Sequence, residues 1–137
     1  KEHSLHCDLR PDEKIFYFTT TGWMMWNWLS SALAVGATVV LYDGNPFYPD
    51  ASKMFNLVDS EQINVFGTSA KFIDACKKAQ VNPRGDNDLS SLRCILSTGS
   101  PLILTLPDKG SNSPRSKRIK VLLPAPEGPT ITTISPG

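Results

Sequence analysis

The sequence predicts an α/β fold, a mostly parallel sheet covered by helices. Two observations carry this. Short apolar runs alternate with helical patterns from Ile15 to Leu96, the arrangement of strands joined by helical crossovers. Three polar, glycine-bearing turns also follow strand-like runs, where ligand crevices form in such sheets.

The first strand is expected over residues 15–19, and an apolar helix over 23–34 follows, with Gly36 as its stop. A second strand falls at 37–42. The helix at 51–61 takes Asp50 as its cap and places Met54, Leu57 and Val58 on one face. A third strand at 63–66 runs into a helix over 69–79. Thr68 is its expected cap, and Phe72, Ile73, Cys76 and Ala79 follow at helical spacing. Lys77 and Lys78 in the last turn suit the helix dipole. The fourth strand is expected at 93–97. Residues 1–9 read as an incoming helix that stops near Pro11.

Composition changes after Leu102. Seven of the eleven prolines lie in residues 101–137, and residues 110–118 hold no apolar side chain. Such a segment buries too little surface to offset its ordering entropy. Residues 103–137 are therefore expected to be mostly irregular, with a short strand possible at 119–123. Net charge is −2 over residues 1–102 and +3 over 103–137. The sum, +1, offers no global field for nucleic acid or a membrane surface, and no apolar stretch approaches the ~20 residues of a membrane helix. The basic cluster from Arg115 to Lys120 reads as a solvated tail. Cys7, Cys76 and Cys94 are too far apart for a Cys-x-x-Cys pattern and are expected as buried thiols in a reducing compartment. His3 and His6 read as surface residues, with no metal site around them.

Three turns hold the candidate chemistry. In Thr19-Thr20-Thr21-Gly22-Trp23-Met24-Met25-Trp26-Asn27-Trp28, all three tryptophans lie within six residues. Each ring is open to two readings, core filler or pocket wall. Phe66-Gly67-Thr68-Ser69-Ala70-Lys71 brings hydroxyls and backbone N–H groups to a helix start, where an anion binds or a plain cap forms. In Leu96-Ser97-Thr98-Gly99-Ser100-Pro101-Leu102, Gly99 lets a flat ligand approach the backbone, or simply makes a tight turn. Residues 22–25, 68–71 and 99–101 are expected to converge on one edge of the sheet. Neither G-x-x-x-x-G-K-[ST] nor G-x-G-x-x-G occurs, and no Ser/His/Asp set can be assembled.

At these residues the chain resembles a known family. The segments KEHSLHCDLRPDEKIFYFTTTGWMMWNWL, GATVVLYDGNPFYPD, INVFGTSAKFIDACKKA and DLSSLRCILSTGSPL are similar to those of acetoacetyl-CoA synthetases, within the adenylate-forming superfamily. The resemblance covers residues 1–102 and implies part of the large N-terminal domain of such an enzyme. It implies a cytosolic acetoacetate–CoA ligase that uses ATP, Mg²⁺ and CoA and passes through an acyl-adenylate. It also implies an adenine contact at Gly99, Ser100 and Pro101, and an acyl and CoA channel lined by Trp23, Met24, Met25 and Phe47. The glutamate common before that proline in the related acetyl-CoA synthetases is Ser100 here. The family's phosphate loop and its catalytic-lysine domain have no counterpart in these residues. No catalytic residue or metal ligand is therefore assigned, and tight binding of ATP or CoA by this chain alone is not expected. The rival reading is a non-catalytic, truncated remnant with weak nucleotide or CoA binding.

Overall fold

The computed structural model describes residues 1–99 and 119–121. Five strands form one sheet: β1 (Lys14–Tyr17), β2 (Thr38–Val40), β3 (Val65–Ser69), β4 (Cys94–Thr98) and β5 (Ile119–Val121). Their order is β2-β1-β3-β4-β5, and every pairing is parallel. The expected α/β class with a parallel sheet is thus observed. β5 falls inside the segment 119–123, and the rest of the expected irregular tail lies outside the described residues.

The helices are α1 (Met24–Ser30), α2 (Lys53–Ser60), α3 (Ala70–Lys78) and the single turn α4 (Pro83–Asp86). The expected helix at 23–34 is split, because a tighter 3₁₀ turn, Ser31–Val35, continues α1. The Ser30 and Ser31 hydroxyls donate back to the carbonyls of Asn27 at 3.1 Å and Trp28 at 2.7 Å. Such back-bonding competes with the regular helical ladder. Gly36 ends the turn at φ +81°, the left-handed stop that glycine makes cheaply. Asp50 accepts from the Ser52 N–H at 2.7 Å, so its turn precedes α2 and the helix begins only at Lys53. At the N-terminus, the expected helix is one wide turn, Glu2–His6.

Alternation along β1 divides the core into two layers. Ile15 and Tyr17 face Leu29 and Ala32 from the α1 side, together with Val65, Cys94 and Leu96. Phe16 faces the other side, with Met54 and Val58 of α2, Phe66, and Phe72 and Cys76 of α3. Full burial of each such apolar side chain stabilises by roughly 1.5–3 kcal/mol. Ile63, expected in the third strand, precedes it and is nonetheless fully buried. β3 instead runs on through Ser69, because it pairs with β4 as far as Ser69 opposite Thr98. Ala79 lies past the end of α3 and is exposed.

The connection leaving β1 covers one face and reaches β2. The connection leaving β3 covers the opposite face and reaches β4. The strand order therefore reverses between β1 and β3, which makes the carboxyl ends of these two neighbours the topological switch point of the sheet.

Candidate functional site

Two of the three turns leave β1 and β3 at that switch point, and the third leaves β4 beside them. Tyr17 lies in register with Gly67, and Ser69 with Thr98. The strand after Tyr17 stays tied to β3 through the Phe18 N–H, which donates to the Gly67 carbonyl at 3.0 Å. The expected convergence is observed for residues 22–25, 68–71 and Gly99. Ser100 and Pro101 lie outside the described residues.

The β1–α1 turn presents apolar side chains to solvent. Trp23, extended at φ −104° and ψ 151°, precedes the first turn of α1. Its side chain is 63% exposed, and that of Met24 is 70% exposed. Met25 and Trp28 turn the other way and pack on the α1-side core. The tryptophan run is thus divided: Trp23 faces outward, and Trp28 packs edge-on against Tyr17 with centroids 6.1 Å apart.

The β3–α3 turn differs from expectation in its cap. The Ser69 hydroxyl, not that of Thr68, accepts from the Phe72 N–H, at 3.2 Å. Thr68 is the last-but-one residue of β3 and is buried, so its side chain belongs to the sheet face. The sequence holds two adjacent hydroxyl residues here, and only the strand's extent tells them apart. Phe47, on the loop after β2, reaches this turn from the side. Its N–H is held by Asn45 Oδ1 at 2.9 Å, and its ring lies 5.3 Å from that of Phe72.

Gly99 stands just past β4 at φ +91°, and among the described residues a side chain built on it would meet nothing within 4 Å. Among those residues the peptide is open on that face, as the approach of a flat ring requires. Among the described residues no cluster of three His, Cys, Asp or Glu side chains could hold a metal ion, and no helix is long and apolar enough to cross a membrane.

Sequence reasoning missed two residues that shape this region. His3, read as a surface residue, is buried. Its Nε2 lies 2.8 Å from the Trp28 carbonyl and 2.9 Å from Ser31 Oγ, and its ring lies 4.2 Å from that of Trp28. Burial lowers its pKa, against the raising effect of the bond to Trp28. Tyr17 is the other. Its hydroxyl donates to the Thr68 carbonyl at 3.2 Å, and burial pushes its pKa up to about 12, so it remains a donor at any ordinary pH. Neither contact has a local signal, since the partners lie 25 and 51 residues away.

A doubly wound parallel sheet with glycine- and hydroxyl-bearing turns at its switch point has the architecture of α/β domains in which ligand crevices form. Comparison with known proteins gives the family. The AMP-binding enzyme family profile matches residues 3–112, and the chain belongs to that family. It is 61% identical over 102 residues to an acetoacetyl-coenzyme A synthetase of Rhizobium meliloti, covering 74% of this chain and 16% of the relative. It is 51% identical over 102 residues to an acetoacetyl-CoA synthetase of Danio rerio, covering 74% and 15%. Among solved structures, an acetoacetyl-CoA synthetase from Streptomyces lividans superposes with a TM-score of 0.72 at 48% identity, covering 74% of this chain and 16% of that one. The chain spans about one-sixth of the length of the relatives it matches.

Proposed function

We propose that residues 1–102 form one wall of an acetoacetate–CoA ligase site in a cytosolic enzyme. ATP and acetoacetate would give acetoacetyl-adenylate and pyrophosphate, and the CoA thiol would then displace AMP to give acetoacetyl-CoA. The supporting observation is the gathering of the three turns at the β1/β3 switch point in a chain 61% identical to an acetoacetyl-coenzyme A synthetase.

In this reading Trp23 and Met24 wall the acyl and CoA channel, and Met25 backs them against the core. Exposed apolar surface at a crevice mouth excludes water from the reacting thioester when covered by ligand. Phe47 borders the CoA side, next to the first turn of α3. The peptide face of Gly99 receives the adenine, and the resemblance adds Ser100 and Pro101 to that contact. The positive end of α3 favours a nearby anionic group. Mg²⁺, when bound with ATP, neutralises phosphate charge.

A hybrid enzyme tests this. Residues 1–102 of this chain replace the matching stretch of the Rhizobium meliloti relative, and acetoacetate-dependent ATP–pyrophosphate exchange is measured. The expected outcome is exchange comparable with the parent, with Trp23→Ala raising KM for acetoacetate. A folded hybrid without exchange would overturn the reading.

A further inference from the structure

The floor of the switch point is occupied by one contact. The Tyr17 ring packs onto Gly67 so closely that a β-carbon built on Gly67 would stand 1.9 Å from Tyr17 Cδ2. No residue but glycine fits beneath the ring. Tyr17 is only 5% exposed, and it touches both sides of the crevice. Its ring takes the edge of Trp28 in α1, and its hydroxyl holds the carbonyl of Thr68, the residue before the α3 cap. Trp28 is held in turn from behind by the His3 ring.

We propose that Tyr17 is a positioning residue of this site, joining the α1 turn to the β3–α3 turn so that the two move as one unit. The Thr68 carbonyl fixes the plane of the Thr68–Ser69 peptide. That peptide sets where Ser69 stands, and Ser69 Oγ holds the Phe72 N–H at the start of α3. On the other side, Trp28 sets the lie of α1, whose first residue is Met24. The Trp23–Met24 wall and the α3 N-terminus are thus joined through the Tyr17 side chain, beside the backbone bond from Phe18 to Gly67. The consequence for ligand binding rests on the site reading above; the coupling itself does not.

Hydrogen exchange of the whole chain, without ligand, tests the coupling separately from the ligase reading. In Tyr17→Phe the ring stays and the hydroxyl goes. The Phe72 and Ile73 amides are expected to exchange about fivefold faster, while Val65 and Leu96 in the sheet keep their rates. In Tyr17→Leu, which removes ring and hydroxyl, Asn27 and Trp28 amides of α1 should quicken together with Phe72. A merely structural role would speed Val65 and Leu96 in proportion, and that result overturns the proposal. So does an unchanged Phe72 in Tyr17→Phe, or a quickening confined to one of the two helices in Tyr17→Leu. Fast Val65 exchange in the unsubstituted chain would remove the packed contact on which the proposal stands. Loss of exchange activity in the hybrid enzyme, with these local rates as expected, would sink the ligase reading and leave the coupling intact.

Discussion

Arg93 grips Glu13 with two parallel bonds, Nε to Oε1 at 2.6 Å and a terminal nitrogen to Oε2 at 2.5 Å. The same guanidinium donates to the carbonyls of Cys7, at 2.9 Å, and Asp8. Glu13 immediately precedes β1 and Arg93 immediately precedes β4, so the fork ties two strand starts and the N-terminal segment together. It does so at the sheet end opposite the three turns. Planar two-bond recognition of this kind is particular to arginine.

Burial alone would raise the Glu13 pKa, but the bonds from Arg93 and from the Arg10 N–H outweigh it and hold the carboxyl below its ordinary value. As pH falls, the unfolded chain therefore takes up the proton first. The contribution is complete above the ordinary value of 4.5 and is lost as pH passes down through the folded value. Glu13→Gln should cost roughly 2 kcal/mol near neutral pH. Urea denaturation of both proteins should show the difference closing below the ordinary carboxyl range. A constant difference at every pH would mean that charge is not what the fork contributes.

His3 acts in a higher window. Desolvation depresses its pKa below 6.5, the terminal ammonium group adds to this, and the bond to the Trp28 carbonyl and the nearby Glu2 oppose it. With Nε2 bonded to that carbonyl, Nδ1 is buried without a partner among the described residues. Protonation would place a second N–H there with no acceptor among them. The unfolded chain binds the proton first, so stability should fall as pH drops through 6.5 and level off below the folded value. His3→Gln should flatten the denaturation midpoint between about pH 7.5 and about pH 5.5. An equally steep slope in the variant would assign the effect elsewhere.

Periodicity alone was enough to place β1, β2, the buried face of α2 and, in α3, Phe72 and Cys76, because each is a local pattern of apolar spacing; Ala79 fell past the helix end. The common edge of the turns followed from topology, since parallel strands joined by right-handed crossovers share an end. The cap at Ser69 was not legible, because two neighbouring hydroxyls satisfy the same local rule and only the pairing with Thr98 decides how far β3 runs. His3 and Tyr17 were hidden for a related reason. A lone histidine in a short polar segment carries no sign of the ring it will stack on, and a tyrosine in an apolar strand carries no sign of a glycine 50 positions later.

The Tyr17–Gly67 contact predicts strong non-additivity. Gly67→Ala puts a methyl where the ring lies, and in a packed core such overfilling should cost about 3 kcal/mol or more. In a Tyr17→Ala background the space is open, and the same change should cost less than about 1 kcal/mol. Midpoints of chemical denaturation for the four proteins give the coupling directly. Equal costs in both backgrounds would show that the ring is free to leave Gly67.

The divided tryptophan run predicts that neighbouring rings fail in different ways. Trp28 packs between His3 and Tyr17 on the α1-side core, so Trp28→Ala should lose roughly 2–3 kcal/mol of stability through lost burial and the cavity left behind. Trp23, 63% exposed at the crevice, supports little of the fold, and Trp23→Ala should change stability by no more than about 0.5 kcal/mol. Its effect should appear instead in the hybrid enzyme, as a raised KM for acetoacetate with the denaturation midpoint unmoved. The reverse pattern, a destabilised Trp23→Ala with unchanged kinetics, would make Trp23 a packing residue and leave the crevice without its apolar wall.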